Sequence, residues 1–253
     1  MNFNIVHKIK SKLQLLPTSI LMLLMLSLFS TECNAKPSPD KCNEIDNNYK
    51  DLKVGNVIEF GCYYQDDLSR KTPIKWRVLD IQDGKALLIS ELLLDAQPYD
   101  NGFEEKITWE NSSIRDWLNN EFINEAFNSQ EKSRISLTLL DNWDNPEYGT
   151  NAGNDTKDKV FLLSLDEVYK YLPNENQRAI KVTQYAKKQG AWVSDSDFYR
   201  EKGFYGNGNW WLRSPGALQS FAAFVHNHGY VNDKGHLIHD LDYAVRPALY
   251  INL

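Results

Sequence analysis

The chain has 253 residues, 42% of them hydrophobic and 12% aromatic, with three cysteines and a formal charge of −6. Without a basic patch an acidic chain is a poor partner for nucleic acid or anionic lipid, which argues against both. The apolar content suffices for one large domain, and no internal repeat or second core divides it.

Residues 1–12 carry Lys8, Lys10 and Lys12 and no acid, and the uncharged run SILMLLMLSLF (19–29) follows. That run falls short of the roughly 20 residues a spanning helix needs. Ala35 then stands in the small-residue position of Cys33-Asn34-Ala35. The pattern reads as a secretory signal peptide over residues 1–35. It places the protein outside the cytoplasm (secreted, periplasmic or on the cell surface), with no integral membrane span after cleavage. An uncleaved anchor is the competing reading. Cys33 also invites a lipoprotein reading, for which Glu32 is a poor neighbour. Cleavage would remove three of the 28 bases and one of the 34 acids, leaving 25 and 33, a formal −8. Cys42 and Cys62 remain, and two thiols in an oxidising compartment form a disulfide most simply. Such a bridge would pin the N-terminal extension to the first strand.

Residues 36–53 read as a polar, proline-dotted extension, and residues 54–253 as the domain. GNVIEFGCY (55–63) is strand-like, and IKWRVLDIQDGKALLIS (74–90) is a hairpin turning at Asp83-Gly84. NSSIRDWLNNEFINEAF (111–127) is the clearest helix. Ser113 with Asp116 would cap it, and Ile114, Trp117, Leu118, Phe122, Ile123, Ala126 and Phe127 form its apolar face. Ser164 with Glu167 marks a second helix start after the strand KVFLLS, and TQYAKKQG (183–190) a third, ending at Gly190. WWLRS (210–214), FAAFVHNHGYVN (221–232) and AVRPALYINL (244–253) read as strands joined by glycine turns.

Three features invite a functional reading. In WWLRSPG (210–216), large groups alternate on both faces of a strand, as in a central strand covered on both sides. Trp210, Trp211, Arg213 and Arg246 are therefore expected to be structural, and each buried guanidinium needs a partner. Four of the five histidines, His226, His228, His236 and His239, fall within fourteen residues among Asp233, Asp240 and Asp242. Imidazoles at such spacing can bind zinc or copper, but the favoured reading is two neighbouring exposed turns, HNHG and DKGH, with the rings neutral at pH 7. The loop DNWDNPEYGTNAGNDTKD (141–158) is rich in hard oxygen donors that suit calcium, and also in the residues that plain turns use. No cofactor is required by any of these.

TWENSSIRDWLN (108–119), KVFLLSLDEV (159–168), WWLRSPG (210–216), FVHNHGYVN (224–232) and VRPALYINL (245–253) follow in one order. That order, over residues 54–253, resembles a bacterial family of exported or surface proteins described only as domain of unknown function 6273. The family is in turn distantly similar to C-type-lectin-like folds, among them the formylglycine-generating (sulfatase-modifying) proteins and the variable binding proteins of diversity-generating retroelements. The resemblance implies a single α+β domain, with small mixed or antiparallel sheets flanked by two or three helices. Long irregular loops would present a binding face. The C-terminal cysteine pair of the formylglycine-forming enzymes is absent here, as is the His-x-x-x-His-x-Glu iron pattern of the sulfoxide synthases. No phosphate loop, Gly-x-Ser-x-Gly or His-Glu-x-x-His is present either.

The expectation is an exported, non-catalytic domain that binds a glycan or protein ligand through loops 141–158, 192–209 and 226–242. Trp192, Phe198, Tyr199, Tyr205, His226, His228 and Tyr230 are its candidate contacts, since aromatics among small polar residues make adaptable contacts at low entropic cost. Two other readings stay open: a metal-dependent hydrolase built on the His226–His239 cluster, and a structural envelope or surface protein.

Overall fold

The computed structural model describes Cys42, Tyr49 and residues 51–66, 68–102 and 106–253. The expected signal peptide lies outside these residues, as does all of the extension 36–50 except Cys42 and Tyr49. Among the described residues no helix is long and apolar enough to cross a membrane.

The N-terminal hairpin forms as its pattern requires. β1 (Val57–Tyr64) pairs antiparallel with β2 (Lys71–Gln82), and β2 with β3 (Lys85–Ser90). Between β2 and β3, Asp83 and Gly84 both hold positive φ (52° and 70°), the twist that two-residue hairpins favour. Ile74, Trp76 and Val78 are buried at the two-residue period of a strand with one face inward. Cys62, in β1, is disulfide-bonded to Cys42 at a Cα separation of 5.9 Å, joining the extension to the first strand.

The strands assemble into two five-stranded sheets. The first runs β1-β2-β3-β12-β7, with β7 Val160–Phe161 and β12 Ala248–Asn252. The second runs β10-β9-β8-β11-β4, with β4 Asp95–Ala96, β8 Trp210–Pro215, β9 Phe221–Val225, β10 Val231–Leu237 and β11 Ala244–Val245. β5 (Thr138–Leu140) and β6 (Thr156–Asp158) form a separate ribbon. Among these strands all pairings are antiparallel except β8 with β11. One ladder passes through both sheets: β12 pairs with β3 in the first and β11 with β4 in the second. Ser90 N–H to Pro247 O and Leu94 N–H to Val245 O bridge the crossing.

Arg246 stands at that crossing, 1% exposed, donating to Ser90 O (3.1 Å) and Gln177 O (3.3 Å), with its guanidinium 5.0 Å from the Trp210 ring. Burial pulls its pKa down to about 9. Every residue of β8 is buried, with Trp210 and Trp211 at 0% exposure. Trp210 Nε1 donates to Arg178 O and Trp211 Nε1 to Gln97 O, so neither buried indole leaves its donor unpaired. Arg213 directs all five guanidinium N–H groups to acceptors: Asn142 Oδ1, Leu162 O, Asp141 O and both carboxylate oxygens of Glu167.

The helices depart from expectation in detail. The first is α1 (Ser113–Trp117), a π-helical turn (Leu118–Phe122) and α2 (Ile123–Ala126) in succession. Ile114, Leu118, Phe122, Ile123 and Ala126 are buried and Phe127 follows, as the periodicity predicts. Ser113 is not its cap. It is the first helical residue, and its N–H is taken by the Asp100 carboxylate from outside the helix (3.0 Å). Asn119, in the π turn, accepts from Lys159 and Val160 N–H and donates to Val160 O, fastening the helix to β7. α3 (Ser129–Arg134) opens on a box of Asn128 with Glu131, and α4 (Leu165–Tyr171) on the expected Ser164–Glu167 box. α5 (Glu175–Arg178), α6 (Gln184–Gln189, ending at Gly190) and α7 (Asp197–Glu201) follow.

Residues 221–232 are not one strand. β9 ends at Val225, a turn over His226–Tyr230 intervenes, and β10 begins at Val231. His226 N–H donates to Tyr230 O and Gly229 N–H to His226 O. Gly229, at φ 92°, permits the reversal. His226 enters this turn and His228 sits within it, so their rings meet because of the turn and not because they alternate along a strand.

Candidate functional site

The three loops expected to carry recognition converge on the β9–β10 hairpin. Asn145, 1% exposed, donates from Nδ2 to Pro215 O and Asp233 O (2.8 Å each), and its Oδ1 accepts from Glu147 and Tyr148 N–H. The first loop is thereby tied to β8 and β10. Asn207, in the second loop, donates to Asn227 O (2.9 Å), and the Phe204 and His228 rings meet at 5.9 Å. Beneath them Asn207 Oδ1 and Asn227 Nδ2 are buried with no hydrogen-bond partner among the described residues.

Arg178 fixes the hairpin from below. It is 6% exposed, donates from Nε to Gly229 O (2.7 Å) and from Nη1 to Leu172 O (3.0 Å), and lies 5.6 Å from the Tyr169 ring. Over this support the rings of His226 and His228 stack at 5.2 Å, and those of His228 and Tyr230 at 6.3 Å with 14° between planes. Phe224 packs edge-on against His226 (4.7 Å), and Phe224 and Trp211 both meet Tyr243 (4.8 and 4.1 Å). The outer rings thus continue an aromatic stack that begins in the core at β8.

Tyr148, Tyr169 and Tyr230 come from three separate segments and are 44%, 52% and 51% exposed. Burial, then Asp233, raises the hydroxyls of both Tyr148 and Tyr169 above the ordinary tyrosine value, and Tyr230 also acts on each. Tyr148 and Tyr169 thus both feel Asp233, and Tyr230 lies near enough to act on each of them. His226 is pushed below the ordinary histidine value by burial first, then by His228 and His236, so it is neutral at pH 7.

The other expected contacts lie along the second loop. Trp192 is half-buried against Tyr199 (5.6 Å), and its backbone N–H donates to Asp242 O. Phe198 is 63% exposed on α7 and touches Tyr199 (5.3 Å). Tyr205 lies under the Arg200 guanidinium at 3.9 Å, while Lys181 Nζ donates to its carbonyl.

The four histidines do not share one set of ligand positions. His236 Nδ1 lies 2.9 Å from Asp240 Oδ2, outside hydrogen-bond geometry, and His239 Nδ1 lies 2.8 Å from Asp100 O. Among the described residues no group of three or more His, Cys, Asp or Glu is arranged to hold a metal ion. The acidic loop uses its oxygens on itself and its neighbours. Asp144 accepts from Ala152 N–H, Asp155 from Asn142 N–H, and buried Asp158 from Trp109, Arg115 and Thr156.

Sequence reasoning missed Tyr148, Tyr169 and Arg178. Tyr169 was open to inference: Leu165, Val168 and Leu172 are the buried positions around it, which turns residue 169 outward. Arg178 carried no such signal, because its acceptors are carbonyls that only the fold brings near.

A family described as Domain of unknown function (DUF6273) matches residues 83–253. The chain belongs to this family. The match begins at the turn between β2 and β3, so the DUF6273 region holds the whole second sheet and the three loops, while β1 and β2 precede it. That is narrower than the span 54–253 over which the motifs had suggested the resemblance. No curated protein and no solved structure matches this DUF6273 chain.

Proposed function

We propose that this DUF6273 protein is an exported, non-catalytic binding domain that recognises a carbohydrate or protein ligand on its tyrosine–histidine face. One observation carries the reading: Tyr148, Tyr169 and Tyr230, from three separate segments, present half-exposed rings near one another beside the stacked His226 and His228. Tyrosine gives large, rigid contact area with one polar handle, and such side chains dominate binding energy where they cluster. The loops are tied down by Asn145 and Arg178, so little ordering is left for a ligand to impose. The disulfide supports an oxidising compartment, and the resemblance to lectin-like domains supports loop-borne recognition.

The test is retention of the purified protein on a glycan array, together with capture of a defined protein partner. Tyr230→Ala and Tyr169→Ala should each weaken the captured interaction by about tenfold, the effect of losing one aromatic anchor. Capture unchanged in both variants would remove the face from consideration.

A further inference from the structure

A second feature lies apart from that face and shares no lining residue with it. It is an open cleft of about 290 Å³ between β5, the start of the 141–158 loop, the outer side of α4 and β12. Trp143, Asp141, Asp166, Lys170, Tyr171 and Tyr250 line it. Trp143 is 68% exposed, whereas four other tryptophans are fully buried in the core. An indole left in water forgoes most of the free energy that its burial would supply. Tyr250 is backed by Phe161 (stacked, 6.0 Å), and Tyr171 by Lys170, whose ammonium lies 4.6 Å from its ring and donates to its hydroxyl at 2.9 Å. The floor is the Arg213–Glu167 pair, whose charges cancel and whose guanidinium donors are all engaged.

The lining chemistry narrows the ligand. Asp141 and Asp166 repel an anion, and Lys170 repels a cation. A wholly apolar ligand would strip water from three charged groups and give nothing in return. Carboxylates that accept, an ammonium that donates and aromatic faces that cover C–H groups together match a neutral ring bearing hydroxyls on its edge. The volume sits at the lower end of small-molecule sites, which run from about 300 Å³ upward, and is right for a short saccharide.

We infer that this cleft binds a neutral saccharide unit, with Trp143 against the apolar face of the ring and Asp141, Asp166 and Lys170 on its hydroxyls. The site stands independently of the tyrosine–histidine face. The test is saturation-transfer NMR on the sugar signals, with the purified protein and cellobiose, maltose and N,N′-diacetylchitobiose as neutral probes. Glucuronate and glucosamine are the charged controls. At least one neutral disaccharide should bind saturably, and more tightly than either charged sugar. Trp143→Ala should weaken it by about tenfold and Asp166→Asn by about fivefold. Both altered residues in the cleft are exposed, so these variants keep the fold. Absence of saturable binding by all three neutral probes would overturn the inference. So would binding indifferent to Trp143→Ala and Asp166→Asn, or preference for a charged sugar.

Discussion

Replacing Glu167 tests whether the buried Arg213 is held by charge or merely by packing. Glu167 has two tasks: it closes the capping box on Ser164, and it presents both carboxylate oxygens to a guanidinium whose side chain is 4% exposed. Losing one partner of a buried ion pair costs about 3–5 kcal/mol. Glu167 is itself 22% exposed, so water can reach the orphaned donors and the lower end applies. Glu167→Gln keeps an oxygen for the Ser164 N–H but loses the charge, and should cost about 2 kcal/mol. Glu167→Ala also loses the cap, and should cost about 3–4 kcal/mol. In a domain of this size that lowers Tm by roughly 10 °C. Ser164→Ala, which disturbs the cap alone, should cost about 1 kcal/mol. Urea unfolding read by tryptophan fluorescence reports all three, since Trp210 and Trp211 leave the core on unfolding. A Glu167→Gln variant within about 0.5 kcal/mol of the parent, the scatter expected for an inert surface change, would mean that packing alone holds Arg213.

Two further perturbations act elsewhere. Burial lifts the Asp95 carboxyl from its ordinary 3.8 to about 6, against the hydrogen bonds it accepts from Tyr63 (2.6 Å) and Ala96 N–H. An acid whose pKa is raised by folding stabilises most below its unfolded value and loses that contribution as pH rises through about 6. The loss amounts to about 3 kcal/mol at neutral pH, so Asp95→Asn should gain on the parent between about pH 4 and 7, and parallel urea profiles would contradict this. Gly229→Ala would set a Cβ at positive φ and 2.1 Å from Glu175 O. It should cost about 2 kcal/mol or more and, by shifting the turn that carries Tyr230, weaken ligand capture beyond what the stability loss explains. Capture equal to the parent's at a temperature where both are folded would count against the face.

Where one element sees one environment, its residues disclosed it. The β2–β3 hairpin followed from Asp83-Gly84 between aliphatic runs, the α4 start from Ser164 and Glu167, and the covered central strand from Trp210 to Pro215 carrying large groups on both sides. The errors arose where a distant partner outbid a local signal. Ser113 had the right neighbour for a cap, but Asp100 reached its N–H first. The turn inside 221–232, by contrast, was legible in His226-Asn227-His228-Gly229, where Gly229 supplies the positive φ that it needs. The histidines resembled a ligand set by spacing alone. In the fold, two belong to one ring stack and the others face Asp240 and Asp100.

The buried arginines explain why irregular loops can hold a recognition surface steady. Arg178 and Arg246 spend their donors largely on backbone carbonyls at places where no strand ladder can satisfy them, and Arg213 adds Asp141 O to its ion pair. Arg178 grips the hairpin turn at Gly229 O, Arg213 the entry of the 141–158 loop, and Arg246 the crossing between the sheets. A guanidinium with several fixed donors does for irregular backbone what pairing does for a strand. Fixing the loops in the folded chain moves their ordering cost from binding to folding, so each exposed ring can give more of its contact energy to a ligand. On this argument Arg178 is a positioning residue for Tyr169 and Tyr230. Its loss should first appear as a weaker grip on ligand, at temperatures where the two sheets remain intact.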